Sequence, residues 1–557
     1  MSNKTVITAG RRFVTAFRTS FGHASGSPRV HIRYGKRLQS SVSSPVRSKA
    51  SPNPWLIAAV GVVAGFAIGN IRGHPASEAK PIVYATRSQM LIAAEEISSL
   101  LGEDSVSYDE DVIEHHGHSD WSTANTPNRP AAVVWPRNTE EVSMIARVCS
   151  KHNVPMVAFG AGSSVEGNFS SPHSGITIDF THMDKIVAFH PDDMDVVVQP
   201  GVNWVNLNNE IKDSGLFLPL DPSPTAMIGG MVSTNCSGTN AMRYGNMKDW
   251  VINLTVVLAD GRVVKTRRRP RKTSAGYNLT GFFVGAEGTL GLVTEITLKL
   301  APIPQDTSVA VVSFPSIRAA TTAASRIIRS GIQLAALELM DDVQMQVVNR
   351  HGSAAVKKRK WEEEPTLFMK FSGTTDAIKS DIKRVQELIK NEKPGPFHFA
   401  KTKLEELDLW AARKEALFTM VSTRKEGTVL WSTDVAVPLS RLADIIDISK
   451  DECSKLGIYG TIIGHVGDAN FHTAMFYDPH NAEQKAAVKR VVDDMMHRAL
   501  EMDGTVSGEH AIGIGKKDCL VEELGQGTID FMKTLKRAAD PKWLLNPGKV
   551  FDLPDAA

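Results

Sequence analysis

Two short segments near the C-terminal end of the chain carry residue types that could hold a metal ion and move a proton. The first spans residues 464–472, where apolar-rich stretches flank a cluster of Gly, Asp, Ala and Asn. This pattern predicts a β-hairpin. If its turn centres between Asp468 and Ala469, then His465 and His472 lie directly opposite each other on one face, with Cβ atoms about 5 Å apart.

The second segment, residues 507–510, adds a carboxylate from Glu509 and a further imidazole from His510. Two imidazoles and a carboxylate form a metal site with an open position for a substrate. This ligand set suits Zn, Mn or Fe, and a divalent Zn or Mn ion is expected. His510 would then be a spare imidazole next to the metal, suited to proton transfer. The alternative is a pair of unrelated histidines at strand ends and a surface Glu-His dipeptide.

Three stretches rich in small residues, at 160–167, 221–238 and 285–294, occupy the middle of the chain. Small residues in a row let backbone N–H groups converge on an anionic group. None of these stretches opens an amphipathic helix with G-x-G-x-x-G, so a Rossmann dinucleotide fold is not indicated. Singly, each stretch could be an ordinary turn.

The elements around these stretches predict an α+β fold. Strands are expected over 131–135, 154–159, 176–180 and 196–199, and helices over 89–101 and 139–153. A loop is expected over 109–125, where His115, His116 and His118 are interpreted as solvated rather than as metal ligands. Residues 306–480 are expected to form a second, α/β unit, and 481–557 a set of helices that return to the first.

Taken together, the three stretches resemble the FAD-binding domain of the vanillyl-alcohol-oxidase type, over residues 126–304 and again over 545–551. The segments around His465, His472 and Glu509-His510 resemble the D-lactate and D-2-hydroxyglutarate dehydrogenase branch of that family. The resemblance implies a two-subdomain FAD-binding domain (126–305), a substrate or cap domain (306–480) and C-terminal helices (481–557).

The resemblance also implies which residues hold FAD. The pyrophosphate is expected at Gly160, Ala161, Gly162, Ser163 and Ser164. The ribityl chain and ring are expected along Asp221, Pro222, Thr225, Gly229, Gly230, Thr234, Ser237 and Gly238. The adenosine end is expected at Glu287, Gly288 and Val293, with Asn546 closing on the isoalloxazine. Some members tether FAD through a His or Cys in the first glycine loop. Positions 160–164 offer neither, so a non-covalent flavin is expected.

For the substrate, the resemblance implies a cation for the carboxylate at Arg413, with Lys425 as a second candidate. The implied reaction is oxidation of D-lactate, with metal chelation by His465, His472 and Glu509, proton transfer to His510 and hydride transfer to the flavin. Electrons are expected to pass to cytochrome c. The alternative is D-2-hydroxyglutarate or another D-2-hydroxy acid, with a different electron acceptor.

The N-terminus differs in composition from the rest of the chain. Residues 1–51 hold ten Lys or Arg and no acidic residue, which is typical of a mitochondrial presequence. Residues 55–71 carry no charge and predict a transmembrane helix. The basic flank places the expected catalytic domain in the intermembrane space, anchored in the inner membrane. The net charge of only +2 indicates no general attraction to nucleic acid.

Overall fold

The computed structural model describes residues 82–554. The predicted presequence (1–51) and the predicted membrane helix (55–71) lie outside the described residues. Between residues 82 and 554, no helix combines the length and the apolar composition that crossing a membrane requires.

The first part of the described chain contains eleven strands, nine of them in two main sheets and two in a separate pair. Their bounds are β1 (Val106–Ser107), β2 (Ala132–Val134), β3 (Met156–Phe159), β4 (Ile176–Asp179), β5 (Ile186–His190), β6 (Asp195–Val198), β7 (Leu216–Phe217), β8 (Val251–Val257), β9 (Val263–Lys265), β10 (Leu292–Lys299) and β11 (Ala301–Pro302). A four-stranded sheet has the order β1-β2-β4-β3, with β2 and β3 parallel to β4. An antiparallel five-stranded sheet has the order β5-β6-β10-β8-β9, and β11 pairs with β7.

The helices of this part are α1 (Arg87–Leu101), α2 (Glu110–His115), α3 (Thr139–His152), α4 (Trp204–Ile211), α5 (Ile228–Thr234), α6 (Ala241–Tyr244), α7 (Met247–Trp250) and α8 (Leu279–Phe283). Helix α3 begins where the Asn138 side chain accepts the backbone N–H of Glu141, and it ends at Asn153 in the left-handed conformation. Its buried residues include Val142, Ile145 and Cys149, whose helical spacing places them on the face that packs against the sheet.

The predicted solvated loop at 109–125 is wrong in its first part. Asp109 caps helix α2 by accepting the backbone N–H groups of residues 111 and 112. His116 follows as a buried residue, with Nε2 3.0 Å from a carboxylate oxygen of Asp179 and Nδ1 2.7 Å from the carbonyl of Val112. It therefore supports the four-stranded sheet from within, rather than facing solvent.

The second part is built on an antiparallel sheet with strands β12 (Asp306–Ser313), β13 (Leu334–Met340), β14 (Thr366–Gly373), β15 (His398–Phe399), β16 (Val429–Ser432), β17 (Val435–Ala436), β18 (Gly460–His465) and β19 (Asn470–Tyr477). The order is β15-β12-β14-β13-β18-β19-β16, and β17 also pairs with β19. The helices are α9 (Ile317–Arg329), α10 (Asp342–His351), α11 (Thr375–Ile389), α12 (Lys403–Lys414), α13 (Ala416–Val421), α14 (Leu442–Lys455), α15 (Ala482–Glu501), α16 (Lys517–Leu524) and α17 (Gln526–Ala539).

Side chains alternate between the two faces of this sheet, and each face has a different role. One face, which includes Val312 and Leu367, is buried beneath α9, α11, α14 and α15. On the other face, Val311 and Phe368 pack against α10 and α12. The strands of this second face also present Lys370, His465 and His472 to a cavity. The apolar side chains that pack against the helices thus hold the strands, and with them the polar side chains that face the cavity, in place.

After α17 the chain returns to the first part. The backbone N–H of Met156 donates to the carbonyl of Leu544 at 2.7 Å, and the N–H of Asn546 donates to the carbonyl of Met156 at 2.7 Å. Residues 544–546 therefore run beside β3, which leads directly into the first glycine-rich stretch.

Candidate active site

The hairpin of β18 and β19 brings the two predicted histidines together, although not in the predicted register. A four-residue loop over 466–469 joins the strands, and His465 lies opposite Asn470 while His472 lies opposite Ile463. The prediction of direct opposition is wrong because the turn centres one residue earlier than expected. The two histidines are instead diagonal neighbours on one face, with ring centroids 5.4 Å apart.

Glu509 completes the group from a separate segment of the chain. One of its carboxylate oxygens lies 3.1 Å from Nε2 of His465 and 3.2 Å from Nε2 of His472. The potential ligand atoms of these three residues all lie within 4.8 Å of one another. The hydroxyl of Ser237 donates to the second carboxylate oxygen and so orients the carboxylate.

The outer nitrogens of both rings are already occupied. Nδ1 of His465 lies 3.0 Å from a carboxylate oxygen of Glu338, and Nδ1 of His472 lies 3.0 Å from the carbonyl of Thr433. A neutral ring, the form that binds a metal ion, keeps the lone pair of Nε2 free when it donates from Nδ1, and both Nε2 atoms face Glu509. This arrangement fits a divalent metal ion held by two imidazoles and one carboxylate.

The pKa values of His465 and Glu509 are shifted by their contacts with each other and with neighbouring charged residues. Burial alone would lower the pKa of His465, but the carboxylates of Glu338 and Glu509 raise it well above its ordinary value. Burial alone would raise the pKa of Glu509, but His465 and His472 hold it well below its ordinary range. Glu509 is therefore an ionised carboxylate in a site of low exposure.

His510 lies beside the group with its ring stacked on that of His472, at 4.8 Å between centroids and 15° between planes. Its Nδ1 is buried and has no hydrogen-bond partner among the described residues. Burial lowers the pKa of His510 to about 4, against the opposing effect of the Asp434 carboxylate. The imidazole is therefore neutral near pH 7, the form that can accept a proton.

Asp434, a residue that the sequence analysis did not single out, positions both Glu509 and His510. Its carboxylate accepts the backbone N–H of Glu509 at 2.7 Å and that of His510 at 2.8 Å. Asp434 is 1% exposed. The only signal in the sequence is its place at the end of the Trp431–Asp434 stretch, which by itself does not indicate a partner 75 residues away.

Arg413 lines the cavity, but its guanidinium is not free. Nε and Nη2 bond one carboxylate oxygen of Glu338 at 3.0 and 2.6 Å. Glu338 is 1% exposed and thereby links Arg413 to His465. Sequence reasoning missed this residue because a single Glu within the otherwise apolar strand β13 has no recognisable motif.

Lys425 does not reach the cavity. It is exposed, in a turn where its carbonyl accepts the N–H of Thr428, and it is absent from the cavity lining. Its prediction as a substrate residue is wrong in this respect. The lysine that does line the cavity is Lys370 on β14, whose ammonium lies 5.7 Å from the ring centroid of Trp410.

The cavity has a volume of about 800 Å³ and joins the two histidines to the glycine-rich stretches. Most of the predicted flavin-binding residues line it: Gly160, Ala161, Gly162, Ser163, Ser164, Asp221, Pro222, Gly229, Gly230, Thr234, Gly238, Glu287, Gly288, Val293 and Asn546. Two do not. Thr225 is exposed beside Ser223, and Ser237 points to Glu509.

Three of the lining side chains are engaged with protein rather than open to a ligand. The Asp221 carboxylate accepts the hydroxyl of Thr239 and the N–H of Asn240. Glu287 accepts backbone N–H groups from residues 512 and 513. The Asn546 amide donates to the carbonyls of Asn168 and Glu287. The cavity can therefore take a flavin against backbone atoms of these residues, while their side chains maintain its walls.

Comparison with known proteins shows the family to which the chain belongs. The sequence model of the family described as FAD binding domain matches residues 130–267, and that of FAD linked oxidases, C-terminal domain, matches residues 303–550. The mitochondrial D-lactate dehydrogenase (cytochrome) of Kluyveromyces lactis is 44% identical over 437 residues, which cover 77% of this chain and 75% of that protein. The protein of the same name from Arabidopsis thaliana is 43% identical over 448 residues, covering 80% and 78%.

Among solved structures, 4-ethylphenol oxidase from Gulosibacter chungangensis aligns with a TM-score of 0.71 at 17% identity, covering 85% of this chain and 98% of that chain. A likeness at this identity concerns the fold alone. Together with the two family matches, it confirms the predicted fold in its coarse form: an FAD-binding domain joined to a second domain.

Proposed function

Because the chain belongs to the family of FAD-linked oxidases that includes the mitochondrial D-lactate dehydrogenases (cytochrome), we propose that it oxidises D-lactate to pyruvate and passes the electrons to cytochrome c. The observation that carries this proposal is the position of His465, His472, Glu509 and His510 on one wall of the cavity. The glycine-rich stretches that match the FAD-binding family form another wall. A substrate between the two walls would contact proton acceptor and flavin at once.

The loss of two electrons from D-lactate divides into a hydride from C2 and a proton from the hydroxyl. FAD in the cavity would supply the hydride acceptor. His510 takes the proton. Its Nδ1 is buried without a partner, and in the tautomer that carries the proton on Nδ1 the lone pair of Nε2 can accept the substrate proton.

His465, His472 and Glu509 would hold a divalent metal ion, which when bound supplies a Lewis acid that lowers the pKa of the substrate hydroxyl. Glu338 and Thr433 keep the two rings oriented for this role by accepting from Nδ1. Arg413 lines the same cavity and is proposed to bind the substrate carboxylate with the guanidinium N–H groups that Glu338 leaves free.

The test is anaerobic mixing of the purified protein with D-lactate, L-lactate or D-2-hydroxyglutarate while flavin absorbance is followed. We expect D-lactate to bleach the flavin and L-lactate to leave it oxidised, because the metal and Arg413 fix two substituents of C2 and so determine which one faces the flavin. Equal bleaching by both enantiomers would contradict this arrangement, and no bleaching by any 2-hydroxy acid would refute the proposed activity.

One observation favours D-2-hydroxyglutarate as a second candidate. Lys370 lines the cavity, and within residues 82–554 no carboxylate oxygen lies within 4.0 Å of its ammonium, although its charge acts on the Asp221 carboxylate. A lysine so placed could bind a second substrate carboxylate. If D-2-hydroxyglutarate is the substrate, Lys370→Met should weaken its binding about tenfold or more and leave D-lactate oxidation nearly unchanged.

For location, we propose that residues 55–71 anchor the protein in the mitochondrial inner membrane and that the catalytic domain faces the intermembrane space. The composition of residues 1–51 and the names of the relatives support a mitochondrial location. Protease added to mitochondria with ruptured outer membranes should digest the catalytic domain. Protection of that domain, together with its extraction by alkaline carbonate, would place a soluble enzyme in the matrix.

A further inference from the structure

The segment 507–516, here called the catalytic segment, carries Glu509 and His510 and is held at both ends. At its start, Asp434 of the second sheet accepts the backbone N–H groups of Glu509 and His510. Its end is held by two residues of the glycine-rich stretches that line the cavity, Glu166 and Glu287. The catalytic segment is therefore suspended between the substrate side and the flavin side of the cavity.

Glu287 makes the first of the two flavin-side attachments. One carboxylate oxygen accepts the backbone N–H of Ile512 at 2.8 Å, and the other accepts that of Gly513 at 2.8 Å. The second oxygen also accepts the side-chain amide of Asn168 at 2.6 Å. Glu287 is 5% exposed and has a φ of 52°, so its backbone is held in a conformation that non-glycine residues rarely adopt. Its carboxylate accepts three hydrogen bonds, all from protein groups, and so positions those groups.

Glu166 makes the second attachment. Its carbonyl accepts the backbone N–H of Ile514 at 2.8 Å and that of Gly515 at 3.2 Å, and its carboxylate lies 3.1 Å from the ammonium of Lys516. The contact is too close for a larger residue. A Cβ at Gly513 would come within 2.1 Å of the Glu166 carbonyl oxygen, and one at Gly515 within 2.4 Å of its carboxylate.

Both attachments start from loops that have no helix or strand of their own at these positions. Such loops gain order when a ligand fixes their backbone, and the order passes to whatever the loops hold. A flavin bound against Gly288 and the first glycine-rich stretch would order these loops and so hold Glu287 and Glu166 in place. The catalytic segment would then keep Glu509 facing His465 and His472.

We propose that FAD binding and metal binding are positively coupled, with Glu287 as the positioning residue that connects the flavin cavity to Glu509 through the catalytic segment. This inference rests on the proposed function, since it takes FAD as the occupant of the cavity and a divalent ion as the occupant of the His465–His472–Glu509 group. It assigns to Glu287 a role in assembling the site, in place of a direct contact with adenosine.

The first test uses the wild-type protein. Flavin and metal are removed, and Zn²⁺ and Mn²⁺ affinities are measured by competition with a chromophoric chelator, with and without saturating FAD. FAD affinity is measured by flavin fluorescence, with and without the metal. We expect each ligand to tighten the other about tenfold or more, and by the same factor, because coupling between two binding equilibria is reciprocal.

The second test uses Glu287→Gln. Glutamine offers one acceptor oxygen and places an amide N–H₂ where the second oxygen accepted, so one of the two backbone N–H groups loses its partner. The coupling factor should fall close to one, while the metal affinity of the flavin-free protein stays near the wild-type value. Asp341→Asn is the matched control, because Asp341 is a buried carboxylate that accepts the backbone N–H groups of Gln344 and Ile462 and is not among the residues that line the cavity. It should keep the wild-type coupling.

The outcomes separate two kinds of failure. Metal that binds equally well with and without FAD overturns the coupling and leaves the proposed function intact. Absence of metal binding in both forms overturns the proposed metal site and the coupling with it. If Glu287→Gln does not fold, the wild-type measurement alone decides whether the coupling exists.

Discussion

Replacing Asp434 with asparagine should weaken the site without removing any group that touches substrate or metal. The Asp434 carboxylate accepts the backbone N–H groups of Glu509 and His510 with a single oxygen, at 2.7 and 2.8 Å. Burial alone would raise the pKa of Asp434, but the positive charges of His510, Lys516 and His472 hold it below its ordinary value. Both hydrogen bonds are therefore bonds to a charged acceptor.

The size of the effect follows from the difference between charged and neutral hydrogen bonds. A bond to a charged group contributes about 1.5–3 kcal/mol and a neutral one about 0.5–1.5 kcal/mol. The asparagine side chain in Asp434→Asn keeps an oxygen acceptor of similar shape, so each bond loses roughly 1 kcal/mol and the pair about 2 kcal/mol. Since about 1.4 kcal/mol corresponds to a factor of ten, metal affinity and kcat/KM should each fall roughly thirtyfold.

The assay is chelator competition for Zn²⁺ or Mn²⁺ combined with steady-state D-lactate oxidation, with FAD content measured in the same samples. FAD content should remain at the wild-type level, because Asp434 holds the catalytic segment rather than the flavin loops. Asp341→Asn also removes a buried charged acceptor of two backbone N–H groups. It should change neither the metal affinity nor kcat/KM by more than about threefold. Unchanged metal affinity and unchanged kcat/KM in Asp434→Asn would refute the reasoning.

Four further predictions address individual groups. His465→Ala or Glu509→Gln should lose the metal and the activity but retain FAD, as read by elemental analysis and flavin absorbance; full activity in a chelator-treated, metal-free enzyme would contradict this. His510→Ala should lower kcat by about 10²–10⁴ with little change in KM, because the proton acceptor is needed only as the hydroxyl ionises; near-normal single-turnover flavin reduction would exclude His510 as the base. Arg413→Ala should chiefly raise KM and lower kcat/KM roughly thirtyfold or more, in steady-state assays against ferricytochrome c; an unchanged KM would remove Arg413 from the carboxylate. Burial lowers the pKa of Lys549 to about 7, whereas a lysine in the unfolded chain has a pKa of about 10.4. Between these two pH values the folded protein binds fewer protons than the unfolded chain, so its free energy of unfolding should rise as the pH rises. Urea unfolding at pH 7 and pH 9 should show a smaller rise in the free energy of unfolding for Lys549→Met than for the wild-type protein. An identical rise in both proteins would show that Lys549 is not its cause.

The hairpin illustrates how far local pattern reaches. Apolar stretches around a turn cluster predict two antiparallel strands, and β18 and β19 are such strands. The predicted register differs from the observed one by two residues, since His465 lies opposite Asn470 instead of His472. A shift of two residues keeps every side chain on its face, because the side-chain period of a strand is two. The histidines therefore still meet, as diagonal rather than direct neighbours.

The partners of the site residues could not be predicted in the same way. Glu338, Asp434 and Lys370 lie on different strands of one sheet or at their ends, and each reaches the site only because strand order places it beside the hairpin. Lys425, close to Arg413 in the sequence, was expected nearby but lies on an exposed turn. The turn places residue 425 outside the cavity lining, which no local pattern in the sequence indicated.

The sequence by itself determined which chemical groups are available: two histidines and a Glu-His pair near the end of the chain, and three glycine-rich stretches before them. Residue type and short-range spacing are local properties, so they can be recognised in the sequence without knowing how the strands are arranged in the sheet. Only the tertiary structure decided that the Glu338 carboxylate binds both Arg413 and His465. It also decided that the Glu287 carboxylate accepts backbone N–H groups of the catalytic segment instead of facing the cavity without a protein partner. Those contacts join residues 75 to 226 positions apart, and they arise from strand order and buried charge pairing, which no local pattern encodes.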